Sequence, residues 1–192
     1  FLELAKKTQK LIPYFSTWNR VSMKELWQTY VSVNLDDCLT RDALFQLCVT
    51  KGFSLLKHES YEDLFYRIFL NYIEPELGKD APTMVYEYPA QMAALAKLSD
   101  KDNRYAERFE VYVHGIEIAN AFSELTNGQE QYGRFKKEQQ IRKKNNKPVY
   151  DIDSSFIDAV HNLPTCAGIA LGVDRVVQLF TGCKDIQNVI VS

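Results

Sequence analysis

Apolar residues recur at helical spacing through the first 77 residues, in LELAKKTQKLI, SMKELWQTYVS, RDALFQLCVTKG and SYEDLFYRIFLNYIEPEL. Ser22 with Glu25, and Ser60 with Asp63, have the spacing of a capping box, in which a hydroxyl accepts from the amide three residues on and a carboxylate reaches back. Gly52 and Gly78 are expected helix stops, because glycine adopts the left-handed conformation that ends a helix. Beyond GKDAP the period shortens. TMVYEYP, ERFEVYV and IEIANAF read as strands, GQEQYGRFKKEQQIRKKNNK as a very polar helix, and SSFIDAVHNLP as a short helix. CAGIALGV reads as a strand of small and branched residues, and DRVVQLFTG as a helix stopped by Gly182. The fold class is α+β, with a helical region over residues 1–78 and a sheet over residues 79–192. Neither a repeat nor a Gly/Ser linker separates them, so they are expected to pack as one unit, the helices covering the sheet.

The stretch ERFEVYVHGIEIANAFSELTN, residues 107–127, sets charged residues into strand texture. His114-Gly115 suits a two-residue hairpin turn, where both positions take positive φ. Val113 then pairs with Ile116, Tyr112 with Glu117 and Glu110 with Ala119. Alternation gives Phe109, Val111, Val113, Ile116 and Ile118 an apolar face and Arg108, Glu110, Tyr112 and Glu117 a wet, charged one. A bulge near Ala119 is expected, turning Asn120 and Glu124 back to the charged face. Glu107 and Glu110 read as ordinary charges on a solvated face. Glu117 lies beside small Ala119 and Ala121, which leave room for something to approach the sheet, and Glu124 ends an apolar run and needs a partner. Carboxylates so placed suit a divalent metal with phosphate, or a cationic substrate. Arg175 stands in the first turn of a helix, where the dipole favours an anion, so an anionic ligand is expected beside it.

Composition narrows the classes. The hydrophobic fraction of 46% is that of an ordinary globular chain, and a net charge of −2 gives no reason to expect nucleic acid or an anionic membrane as partner. No apolar run is long enough for a membrane span. Cys38, Cys48, Cys166 and Cys183 form no C-x-x-C pair and have no zinc spacing, which reads as reduced thiols of a cytoplasmic protein. His58, His114 and His161 are scattered and carry no assigned chemistry. The run KKEQQIRKKNNK mixes signs and reads as a solvated helix, and Phe65, Tyr66, Phe69 and Tyr72 as core. The chain opens at Phe1 inside an amphipathic pattern, so a preceding segment is expected.

Two segments carry a resemblance. GIEIANAFSEL followed by AGIALGVDRVVQLFTG resembles the catalytic domain of class II lysyl-tRNA synthetases, and among their relatives the elongation factor P β-lysine ligases. PTMVYEYPAQMAALAKLS and the ERFEVY strand extend the likeness over essentially the whole chain. The resemblance implies an antiparallel sheet flanked by helices, dimers in the full-length protein, and upstream motifs 1 and 2 that do not appear here. It also implies ATP and magnesium as cofactors. Glu117, with the backbone of Ile118, matches the nucleotide and magnesium contact, and Gly172 the motif 3 glycine against ATP. Arg175 matches the catalytic arginine on the γ-phosphate. Asn120 and Ala170 match residues of the amino-acid pocket, and Glu124 matches the carboxylate that contacts a lysine-type substrate or, in some members, the metal.

The implied reaction is activation of β-lysine or lysine as its adenylate, then transfer to a lysine of elongation factor P. Transfer to tRNA by a synthetase fragment is the alternative, and a non-catalytic binding protein a second one. Ala170 favours the first, since lysyl-tRNA synthetases usually have glycine there, whereas the β-lysine ligases resemble this chain in having alanine. Glu117, Glu124, Gly172 and Arg175 together count against the non-catalytic reading.

Overall fold

The computed structural model describes residues 13–190, so the helix read in LELAKKTQKLI lies outside them. Strand β1, Asn19–Ser22, leads into helix α1, Met23–Leu26, which continues as wider π-type turns over Trp27–Val31. Helices α2, Arg41–Thr50, and α3, Tyr61–Ile68, follow. Strands β2, Thr83–Pro89, β3, Tyr105–Val113, and β4, Ile116–Ser123, come next. Helices α4, Gly128–Lys144, and α5, Ser154–Asn162, precede strand β5, Ala167–Leu171, and helix α6, Val173–Thr181. Both capping boxes form. Ser22 accepts from Glu25 N and Ser60 from Asp63 N, while each acid reaches back to its cap. Gly52 and Gly182 end their helices at φ +84° and +67°.

The five strands lie in chain order, β1-β2-β3-β4-β5. All neighbours are antiparallel except β1 and β2, which run parallel, so the sheet is mixed and not the antiparallel one expected. The parallel strand also lies inside the stretch read as helical. NRVS is too short to show alternation, and it is extended because the edge of β2 offers its amides and carbonyls as partners.

Each face of the sheet has its own cover. On one, Met23, Leu26, Trp27, Leu64, Phe65, Ile68 and Phe69 pack against Val85, Tyr88, Tyr105 and Tyr112. On the other, Val111, Val113, Ile118 and Ala119 meet Tyr14, Phe15, Val176 and Leu179. The face expected to be wet is therefore half covered by the helical region. Tyr112 is 2% and Glu110 5% exposed, so Glu110 is not the solvated charge that alternation suggested. All four cysteines are free thiols, and burial pushes Cys48 up to about 11. Among the described residues no helix is long and apolar enough to cross a membrane.

Gly78, at φ +67°, laces the helical region to the hairpin. Its carbonyl accepts from His114 N at 2.7 Å and from the Tyr14 hydroxyl at 2.5 Å. A Cβ there would lie 2.6 Å from the Tyr112 carbonyl oxygen, while a Cβ on Gly52 would meet nothing. Gly52→Ala should therefore cost only the left-handed penalty, about 1–2 kcal/mol. Gly78→Ala adds a clash with backbone and should cost about 2 kcal/mol more. Urea unfolding of both variants measures the difference, and equal losses would contradict the clash.

Candidate active site

The β3–β4 hairpin turns at His114 and Gly115, at φ +50° and +75°. Val113 pairs with Ile116 and Tyr112 with Glu117, as expected, and then the register shifts. Val111 faces Ala119 and Glu110 faces Asn120, so Ile118 is the extra residue of a bulge and the expected Glu110–Ala119 pair is off by one. Ile118 and Ala119 both enter the core cluster on the α6 side. From Asn120 onward the parity is reversed. Asn120 and Glu124 thus join Glu117, Arg108 and Glu110 on the opposite face.

A second irregularity lies in β2. Glu87 takes φ +61° where the pairing jumps from Tyr86–Phe109 to Tyr88–Ala106. Strict alternation would put Tyr88 opposite to Val85, yet both enter the same core cluster. The bulge at Glu87 turns Tyr88 beneath Glu110. The Tyr88 and Tyr112 hydroxyls donate to Glu110 Oε2 at 2.5 and 2.6 Å, and Arg108 Nη2 donates to Oε1 at 2.5 Å. Burial, then the Glu110 charge, raise both tyrosines far above their ordinary range. Sequence reasoning missed this cluster. Alternation placed Arg108, Glu110 and Tyr112 together, but nothing in TMVYEYP announces the bulge that adds Tyr88.

Strand β5 lies beside β4, with Ala170 opposite Asn120 and Gly168 opposite Phe122. A Cβ on Gly168 would stand 2.7 Å from Glu124 Oε1, so glycine lets that carboxylate lie over β5. Gly172 donates its N–H to the Ile118 carbonyl at 2.9 Å and precedes α6. Arg175, in the first turn of α6, donates to the Glu117 carbonyl at 2.7 Å and to Glu117 Oε2 at 3.3 Å. The anion beside this arginine within the protein is thus Glu117. Glu74 lies near them, its carboxyl raised by burial and by the Glu110 and Glu117 charges. Glu107 is half-buried and 3.9 Å from Lys97, in keeping with a surface charge.

Glu117 and Glu124 lie seven positions apart on one extended segment, roughly 20 Å at the usual rise per residue, so they mark opposite ends of the face. No single ion can touch both. Two surface clefts, of about 400 and 620 Å³, lie elsewhere, beside α4 with α5 and beside α3. The candidate site is the shared face of β4 and β5 that carries Glu117, Asn120 and Glu124, an open trough along the sheet. Among the described residues no group of three or more His, Cys, Asp or Glu side chains could hold a metal ion.

The family of tRNA synthetases class II (D, K and N) matches residues 1–191. The chain belongs to this family. Among the curated relatives of this class II chain is an elongation factor P–(R)-β-lysine ligase of Yersinia enterocolitica, 47% identical over 133 residues, 69% of this chain and 41% of the relative. Proteins of the same name from Haemophilus ducreyi and Histophilus somni are 37% and 44% identical, over 88% and 70% of this chain and 51% and 42% of theirs. The class II chain spans about half the length of the curated relatives it matches.

The buried tyrosines make stability depend on alkaline pH. Tyr88 and Tyr112 have raised folded-state values, so their contribution is complete below the unfolded value near 10 and is lost as pH rises above it. The unfolding free energy should fall beyond about pH 10, and Tyr112→Phe should remove about 1.4 kcal/mol per pH unit from that slope. Urea titrations from pH 8 to 11 measure it; an unchanged slope would mean Tyr112 ionises freely in the fold.

Proposed function

We propose that the full-length protein activates a lysine-type amino acid with ATP and transfers the acyl group to a lysine side chain of elongation factor P. One observation carries this reading. Glu117 with Arg175, then Asn120 with Ala170, then Glu124 over Gly168 succeed one another along a single sheet face. A nucleotide end, a reacting centre and a cation-binding end can be laid along it in that order. The names of the curated relatives support the choice of acceptor.

In the first step the substrate carboxylate attacks the α-phosphorus of ATP, and pyrophosphate leaves. Arg175 is half exposed and can turn from Glu117 to the γ-phosphate, holding charge where it builds up on the leaving group. Gly172 permits the close backbone approach that a flat nucleotide requires. With no cluster of three protein ligands among the described residues, a magnesium ion would rest on Glu117 together with phosphate oxygens and water, as this hard cation commonly does. Bound there it would neutralise phosphate charge. Glu124 receives the distal ammonium group, a charge-assisted contact. In the second step the acceptor ε-amine attacks the acyl carbon, AMP leaves, and an amide forms. The chain's part in both steps is positioning and electrostatics.

Pyrophosphate exchange by the full-length protein tests the reading. β-Lysine should support exchange, and Arg175→Ala should lose about 2–4 kcal/mol of transition-state stabilisation with the fold intact. Near-normal exchange by that variant would remove the phosphate role. Ala170 stands opposite Asn120, and its methyl would crowd an amino group on the substrate Cα while tolerating one a carbon further on. Ala170→Gly should therefore shift preference toward α-lysine by about 1–3 kcal/mol. An unchanged isomer ratio, or efficient charging of tRNA by the wild type, would favour the synthetase instead.

A further inference from the structure

The proposed function places Asn120 beside the amino acid, and the inference here rests on that reading for its kinetic test. We propose that Arg108 is a positioning residue that, gripped by Glu110, turns the Asn120 amide so that its NH2 group faces the open trough.

Arg108 Nε donates to Asn120 Oδ1 at 3.2 Å. A guanidinium carries five N–H donors and no acceptor, so the amide can offer it only oxygen. The orientation of Asn120 follows from that chemistry, and its two N–H donors are directed away from Arg108. The arginine itself has little freedom. Nη1 donates to the Met92 carbonyl at 2.7 Å, Nη2 to Glu110 Oε1 at 2.5 Å, and the guanidinium carbon lies 4.7 Å from the centre of the Tyr88 ring. The Arg108 side chain is 12% exposed and that of Glu110 6%. Glu110 is in turn held through its second oxygen by Tyr88 and Tyr112. A chain of contacts thus runs from the helical core to one side chain of the trough.

The consequence is a specificity. An amide presenting donors matches an oxygen of the substrate's carboxyl or acyl group and repels an ammonium hydrogen. Asn120 then orients the reacting end, and the ammonium groups are left to carboxylates. Arg108 touches no substrate and acts through Asn120 alone.

The test uses Arg108→Lys, Glu110→Gln and Asn120→Ala in the full-length protein. Lysine's three donors radiate from one nitrogen and cannot reach partners spread around a planar guanidinium, and a neutral glutamine holds Arg108 less firmly than a carboxylate, so either change should loosen the amide. KM for the amino acid in pyrophosphate exchange should rise roughly 10- to 100-fold in each, with KM for ATP unchanged. Arg108→Lys added to Asn120→Ala should cost nothing further. Equal effects on both substrates, or losses that add in the double variant, would mean a merely structural role and overturn the proposal. A second readout needs no activity: the side-chain 15N amide pair of Asn120, assigned by its loss in Asn120→Ala, should move in Arg108→Lys and Glu110→Gln. An unmoved pair overturns the proposal. If the wild type shows no exchange with any lysine-type amino acid, the functional reading fails, and the amide signal alone decides for or against the positioning role.

Discussion

A carboxylate buried mid-sheet beneath a layer of helices is tolerated only if its lone pairs meet donors. Glu110 meets three, from Arg108, Tyr88 and Tyr112. Removing one partner of such a buried pair typically costs on the order of 3–5 kcal/mol, because the other is left charged and unsatisfied. That demand spreads outward. Tyr88 reaches Glu110 only because Glu87 accepts a left-handed φ of +61°, a strain of about 1 kcal/mol or more. Asn120 reaches Arg108 only because Ile118 is inserted as an extra residue in β4. Two backbone irregularities thus converge on one side-chain cluster.

The cluster divides the sheet face. Toward β1 and β2 the face is dry, under Trp27, Phe65 and Phe69, and Tyr112 belongs to that core. Toward β4 and β5 it is open, and Ala170, opposite Asn120, is exposed. Arg108 and Glu110 stand on the line between, with their charged heads turned to each other. The core can then end abruptly without leaving an unpaired charge inside it. The trough can also carry Glu117, Asn120 and Glu124 without their hydration weakening the packing behind them. The small residues of the trough have local reasons. Gly168 clears Glu124, and a side chain on Gly172 would press the Arg175 methylenes at 3.3 Å.

Much of this was legible along the chain. The helix caps at Ser22 and Ser60, the stops at Gly52 and Gly182, and the His114-Gly115 turn depend on contacts within a few residues, and each formed where its local chemistry indicated. The need for a bulge near Ala119 could be read from the conflict between alternation and the charges after it. What local pattern could not supply was the partner across space. NRVS became a strand because β2 had a free edge, Glu110 became buried because helices some forty residues earlier cover it, and Tyr88 turned inward because of an irregularity at Glu87. The sequence by itself determined the helices and the strands long enough to show a period, and which residues carry charge to the sheet. The tertiary structure alone decided which of those charges face solvent and which face each other, because burial and pairing are properties of the neighbours that folding brings, and those neighbours lie far away along the chain.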